Sequence, residues 1–202
     1  MKSGAKNPVV RNIGRDLPGI FLKQGEYYVS SREPAMVWTV LGSCVTVTMH
    51  CPVLKIGGIT HSLLPYPFPG TSVPSGQSGR YVNSSVRLLL KKLICRGVSK
   101  SNLEVKVFGG GNLLPGKSST PLNRLINIGR LNVETALMVI QELGLQVTAT
   151  DVGGNHGRRL MFYPHRGDAW VKKVVPGMTR ARALRPVTGI ADGPPEKMAL
   201  VG

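Results

Sequence analysis

Two residues whose side chains can carry out nucleophilic chemistry, Cys44 and His61, belong to neighbouring stretches with strand character. In residues 44–49 polar and apolar side chains alternate, and the next β-like stretch ends at His61. If these stretches form a hairpin that turns at residues 52–53, Cys44 lies directly opposite His61 on one face, with Cβ atoms about 5 Å apart. A histidine there can take the thiol proton and later return it to a leaving group. The spacing predicts either this catalytic pair or a buried cysteine beside a core histidine.

A second motif, from Gly111 to Ser118, matches the phosphate-binding pattern G-x-x-x-x-G-K-[ST]. It follows a predicted strand, as such a loop requires. The loop also needs a sustained helix that starts at its Lys-Ser pair, because the helix N-terminus binds the phosphates. Pro121 lies three residues after Ser118, and residues 127–129 break the helical pattern again. A Gly/Ser/Pro surface loop is the better interpretation, and nucleotide binding is kept as an alternative function.

The charge of the chain is strongly positive. Lys and Arg number 26 against 10 Asp and Glu, which gives a net charge of +16 at pH 7. Such an excess attracts acidic partners of any kind. A basic nucleic-acid binder without catalysis is therefore a further alternative. Aromatic residues make up only 5% of the chain and no nucleic-acid-binding motif is recognised, so no nucleic acid is expected.

The 202 residues predict one domain between two tails. Residues 1–18 and 176–202 lack periodicity and are expected to be flexible tails, the second of them basic, around a domain at 19–175. No apolar run reaches the roughly 20 residues that span a bilayer, and no secretory signal is evident. Three cysteines indicate a reducing cytoplasm rather than a disulfide scaffold. No metal-ligand spacing stands out, and no cofactor is expected.

The elements that must position the candidate residues alternate between β and α character. Apolar residues at helical spacing predict helices at about 80–96 and 129–143. The predicted strands are 37–49 with a break at 42–43, 55–64, 103–108, 145–150, 159–163 and 169–175. This order indicates an α+β fold with helices packed on largely antiparallel sheets.

Several ordered motifs resemble those of CheD, the chemoreceptor glutamine deamidase family. They are residues 25–29, 39–45, 56–65, 107–111, 127–129 and 151–155. The resemblance spans about residues 20 to 175. It implies a layered αβ sandwich with mixed sheets and two helices outside, similar to the catalytic domain of cytotoxic necrotizing factor.

The resemblance also implies a function and a site. It implies conversion of receptor glutamines to glutamate in the cytoplasm by Cys44, His61 and Thr39, with Thr39 orienting His61. The implied partners are chemoreceptor cytoplasmic helices, and the family also allows a CheC-type phosphatase. The remaining thiols, Cys51 and Cys95, are expected to be buried and structural.

Overall fold

The computed structural model describes residues 9–10, 17–30, 33–67, 70, 76–112, 127–174 and 185–186. Within these ranges the chain forms two α-helices, two short 3₁₀-helices (Ser78–Arg80 and Lys100–Asn102) and two mixed β-sheets. The strands are β1 (Val9–Val10), β2 (Gly19–Phe21), β3 (Tyr27–Val29), β4 (Met36–Leu41), β5 (Val45–Cys51), β6 (Ile56–Thr60), β7 (Glu104–Gly109), β8 (Val147–Val152), β9 (Gly157–Tyr163), β10 (Asp168–Val174) and β11 (Arg185–Pro186). The helices are α1 (Val82–Ile94) and α2 (Ile128–Glu142).

The first sheet has the strand order β1-β2-β4-β9-β10-β11 and the second β3-β6-β5-β7-β8. Strands β2 and β4 run parallel, as do β7 and β8, while the other described pairs are antiparallel. The predicted α+β class with mixed, largely antiparallel sheets is confirmed. Strands β2 and β3 were not predicted, because three residues are too few to show an alternating pattern.

Two cores hold three layers together. Both helices pack on one face of the second sheet, where Val86, Leu89 and Leu93 of α1 meet the apolar side of β5 and β7. The other core, which includes Leu41, Phe108 and Phe162, lies between the two sheets. Apolar residues at helical spacing place one buried stripe on α1, as the sequence predicts. The second sheet is therefore covered on both faces.

The terminal segments each contribute one short strand. Strand β1 pairs with β2, and β11 pairs with β10. Most of the two predicted tails lies outside the described residues, namely 1–8, 11–16, 176–184 and 187–202. The division into tails and domain therefore stays a prediction. Among the described helices, none is long and apolar enough to cross a membrane.

The β5–β6 hairpin has a register two residues away from the predicted one. Its loop is 52–55, so Cys51 pairs with Ile56, and Lys55 adopts a positive φ of 53°. Four-residue hairpin loops are most often built around a type I turn. Cys44 therefore does not lie directly opposite His61, and that expectation is wrong. A shift of two residues preserves the alternation of faces, so both side chains still project to the same side.

Candidate active site

His61 follows strand β6 and is fixed by a three-member hydrogen-bond network. Its Nδ1 lies 2.7 Å from Thr39 Oγ1 and 3.3 Å from the carbonyl oxygen of Leu22. The Thr39 hydroxyl lies 2.8 Å from the same carbonyl. Thr39 belongs to β4 and Leu22 follows β2, so the first sheet holds an imidazole that extends from the second. The structure thus brings together two of the three residues implied by the resemblance.

This network fixes the tautomer of His61. A carbonyl oxygen can only accept, so the single proton of the Thr39 hydroxyl is donated to Leu22. The Thr39 oxygen must then accept its short bond from Nδ1–H of His61. In a neutral imidazole the other nitrogen, Nε2, consequently carries a lone pair. That atom is buried and has no hydrogen-bond partner within the described part of the chain.

Burial sets the resting charge of His61. The residue is only 2% exposed, and desolvation lowers its pKa below the usual value. The hydrogen bond to Leu22 and the charge of Glu26 oppose that shift without reversing it. At pH 7 the imidazole is therefore neutral, which is the form that can accept a proton at Nε2.

Thr39→Val is expected to slow any reaction in which His61 moves a proton about tenfold to a hundredfold, which is part of what a general acid–base contributes. The valine has no oxygen to accept from Nδ1–H, and only the longer contact with Leu22 is left to orient the imidazole of His61. Steady-state kinetics of the variant would measure the loss. Thr39→Ser keeps the hydroxyl and serves as the matched control, so an equal loss in both variants would contradict this role of the network.

Cys44 lies in the bend between β4 and β5, next to the start of the hairpin. Val45 and Ser62, the residues that follow Cys44 and His61, exchange two backbone hydrogen bonds of 3.0 and 2.9 Å. Cys44 and His61 are consequently diagonal neighbours on one face, a separation of about 7 Å that side chains can bridge. The structure records no direct hydrogen bond between them. Cys44 is 7% exposed and packs at the core between the two sheets.

The ionisation of Cys44 is held back by its surroundings. Burial raises the pKa of the thiol, and a hydrogen bond from its own backbone N–H opposes the rise. A raised thiol pKa beside a lowered imidazole pKa means that the pair rests as neutral thiol and neutral imidazole. Proton transfer from Sγ to Nε2 would turn such a pair into a thiolate nucleophile and an imidazolium acid in one step.

The bend that presents Cys44 is supported by a glycine turn after β7. Gly110 N–H donates to the Cys44 carbonyl and Gly111 N–H to the Gly42 carbonyl, both at 2.8 Å. Gly109 has φ +105°, and a Cβ at this position would collide with the Cys44 carbonyl. These glycines thus allow close backbone approach.

A further residue, Asn132 of α2, links the two halves of the site. Its side chain is fully buried, and Nδ2 donates to the carbonyls of Ser43 at 2.9 Å and Leu63 at 2.8 Å. Ser43 precedes the thiol, and Leu63 lies two residues beyond the imidazole. One amide therefore ties the helix layer to both chain segments. Nothing along the chain relates Asn132 to Cys44, so its role is evident only from the folded arrangement.

Asn132→Leu is expected to destabilise the folded protein by about 1–3 kcal/mol, because two partly buried backbone carbonyls lose their donor. Leucine keeps the branch at Cγ, and because its methyl groups are larger than the amide atoms, overpacking adds to the loss. Urea unfolding would measure the difference in free energy of unfolding. Asn83→Leu, on the partly exposed side of α1, is the control and should change that energy by less than about 0.5 kcal/mol. Equal effects of the two substitutions would contradict the linking role.

The other thiols have different environments. Cys51 is buried in the core between the helices and the second sheet, as expected. Cys95 is exposed at the C-terminal end of α1, so its expected burial is wrong. Among the described residues no three His, Cys, Asp or Glu side chains form a group that could hold a metal ion.

The two alternative functions gain little from the structure. Within the phosphate-loop match, Gly111 N–H and Asn112 N–H donate to Gly42 and Gly154 carbonyls, so neither amide is free to bind phosphate. The rest of the match, including Lys117 and Ser118, lies outside the described residues.

Several basic side chains are also neutralised or turned inward. Arg87 of α1 forms an ion pair with Glu142 of α2. Arg158 is buried and bonds to Asp151 at 2.7 Å. Lys106 is buried, and its Nζ donates to a backbone carbonyl at 2.9 Å. Arg158 and Lys106 therefore do not contribute to an exposed basic surface, and the charge of Arg87 is offset by Glu142.

Comparison with known proteins decides the family. The family model described as CheD chemotactic sensory transduction matches residues 63–173, a segment that contains α1, α2, β7–β9 and all but the last residue of β10. The chain belongs to the CheD family. The match to this model begins after Thr39, Cys44 and His61, so the roles of these three CheD residues are argued from their geometry.

CheD proteins of three bacteria illustrate the likeness. The chain is 39% identical over 158 residues to a protein of Geobacter sulfurreducens named probable chemoreceptor glutamine deamidase CheD 2, covering 78% of this chain and 91% of that one. It is 40% identical over 161 residues to the probable chemoreceptor glutamine deamidase CheD of Maridesulfovibrio salexigens, covering 79% and 94%. The Bordetella parapertussis protein of the same name is 35% identical over 167 residues, covering 83% and 75%.

Proposed function

We propose that this protein hydrolyses the side-chain amides of specific glutamines in chemoreceptor cytoplasmic helices, giving glutamate and ammonia. Cys44 is the nucleophile, His61 the general base and acid, and Thr39 the residue that orients His61. The observation that carries the proposal is the Leu22–Thr39–His61 network, which leaves a lone pair on a buried Nε2 on the same face as the thiol. Membership of the CheD family and the names of its relatives support the choice of substrate.

In the first half of the reaction, Nε2 of His61 takes the thiol proton of Cys44. The thiolate attacks the amide carbon of the substrate glutamine, and the carbonyl electron pair moves onto oxygen. When that pair returns, the carbon–nitrogen bond breaks and the imidazolium of His61 protonates the leaving group, which departs as ammonia. The product of this half is a thioester between Cys44 and the receptor.

In the second half, His61 is neutral again and accepts a proton from water. The hydroxide that results attacks the thioester carbon, and collapse of the intermediate expels the Cys44 thiolate. His61 returns its proton to that sulfur, and the new carboxylic acid ionises at neutral pH. The sum consumes one glutamine amide and one water and forms one glutamate and one ammonia, so no redox partner or cofactor is needed.

The remaining parts of the proposal follow from the same family membership. The proposed location is the cytoplasm, where receptor signalling helices are found, and a CheC-type phosphatase is a proposed second partner. We also propose a relation in fold to the catalytic domain of cytotoxic necrotizing factor. Two mixed sheets with both helices on one face support that relation.

The proposed function is tested by incubating the protein with a purified cytoplasmic fragment of a chemoreceptor in water enriched in oxygen-18. Tryptic peptides with a modified glutamine should gain about 1 Da from the amide-to-acid change and about 2 Da more from one heavy oxygen, since water completes the reaction. Ammonia should appear in equal amount. A fragment that keeps all its glutamines under conditions where the protein is folded would contradict the proposal.

A further inference from the structure

The turn between β2 and β3 touches both groups of the proposed catalytic pair. Its first residue, Leu22, supplies the carbonyl that orients His61. Two residues later, the side-chain amide of Gln24 points at the nucleophile, with Nε2 lying 3.7 Å from Cys44 Sγ. Three consecutive residues therefore carry an acceptor for the imidazole and a donor beside the sulfur.

The backbone of this turn is firmly held, although the Gln24 side chain is exposed. Gly25 N–H donates to the His61 carbonyl at 2.7 Å, and His61 N–H donates to the Glu26 carbonyl at 2.9 Å. Gly25 has φ +81°, a conformation that glycine adopts without strain. The Gly25 carbonyl oxygen lies so close to Gly79 that a Cβ on residue 79 would collide with this oxygen. The position of Gln24 is thus tied to that of His61.

Gln24 Nε2 lies close to where a negative charge develops during the proposed reaction. Attack by the thiolate places a negative charge on the former amide oxygen, one bond beyond the carbon that Sγ attacks. Donors that stabilise such an oxyanion lie about 2.7–3.1 Å from it and act only once the charge has formed. A sulfur is a weak acceptor, so the N–H of Gln24 is free to exchange it for a charged oxygen. A second donor is near, since the Cys44 backbone N–H also faces its own sulfur.

We propose that the side-chain carboxamide of Gln24 donates a hydrogen bond to the oxyanion formed when Cys44 attacks the substrate amide, alongside the backbone N–H of Cys44. The inference rests on the proposed function and names a further catalytic residue for it. Gln24 transfers no proton. As the sulfur–carbon bond forms, the carbonyl pair moves to the oxygen that Gln24 binds, and the pair returns as the carbon–nitrogen bond breaks and ammonia leaves.

The test compares Gln24→Ala and Gln24→Glu with the wild-type protein and with Gln141→Ala, a truncation on the exposed side of α2. Loss of one oxyanion donor should lower kcat about 100-fold in Gln24→Ala, with KM changed less than about threefold. Gln24→Glu has the same shape but a carboxylate that cannot donate and repels the oxyanion, so its loss should be at least as large. Gln141→Ala should match the wild type.

Alkylation of Cys44 by iodoacetamide separates donation from positioning, because that displacement forms no oxyanion. In Gln24→Ala, kcat should fall about 100-fold, whereas the rate of Cys44 alkylation should stay within about threefold of the wild-type rate or rise because the thiol is uncovered. A parallel fall in alkylation and kcat would show that Gln24 positions the thiol, and a near-normal kcat would show that it does nothing; either result overturns the inference. If the wild type itself leaves receptor glutamines unchanged, it is the proposed function that fails.

Discussion

Cys44→Ala is expected to abolish deamidation, with kcat/KM lower by about 10⁴-fold or more, because removal of a nucleophile leaves only the binding and polarising groups. The Cys44 side chain is small and lies at the edge of the core between the sheets, so its loss should leave the fold intact. Mass spectrometry of receptor peptides after incubation with each protein would measure conversion of glutamine to glutamate.

Cys95→Ala is the matched control, since it removes an exposed thiol at the end of α1. It should retain wild-type kcat/KM. Cys44→Ser tests the chemistry further, because a hydroxyl gives up its proton far less readily than a thiol and should also be nearly inactive. Appreciable turnover by either Cys44 variant would mean that another group attacks the amide.

His61→Ala is expected to lower kcat about 10³-fold, within the range that a general acid–base contributes. The variant also loses the pH dependence that the imidazole imposes. In the wild type, burial lowers the pKa of His61, so kcat/KM should be constant near pH 7 and fall only as acid protonates Nε2 below the usual histidine range. In the variant the remaining rate depends on spontaneous thiolate, and the pKa of Cys44 is raised by burial. That rate should therefore climb steadily as the solution becomes alkaline.

Rates of both proteins between pH 5 and pH 10 would measure this difference, with circular dichroism at each pH to confirm folding. His165→Ala, in the turn between β9 and β10, is the control and should keep the wild-type profile. Identical profiles for wild type and His61→Ala would exclude His61 as the group that moves the proton.

The sequence predicts the face on which the candidate residues lie better than it predicts their register. Alternation in β5 and β6 has a period of two, so a loop moved by two residues leaves Cys44 and His61 on a common face. Which four residues form the loop depends on the left-handed backbone at Lys55, a residue type that seldom marks such a position. The pairing partner of Cys44 was consequently wrong while its orientation relative to His61 was right.

Contacts between elements distant along the chain could not be predicted from local patterns. The predicted strand 37–49 divides at its Gly-Ser break, and its two halves enter different sheets. Thr39 reaches His61 only because the sheets stack, and Leu22 and Gln24 belong to a turn between strands too short to recognise. The resemblance to a family implied Thr39, whereas Leu22, Gln24 and Asn132 became evident only from the folded arrangement.

The central claim, that Cys44 attacks the glutamine carboxamide, is tested most directly by an affinity label. A receptor fragment whose modified glutamine is replaced by a chloromethyl ketone analogue would be incubated with the protein, and peptide mapping would locate the adduct while residual activity is followed. The account predicts one covalent adduct per protein, on Cys44, with activity lost in proportion to its formation. Full modification of Cys44 with deamidase activity retained, or complete inactivation with the adduct on Cys51 or Cys95 instead, would contradict it.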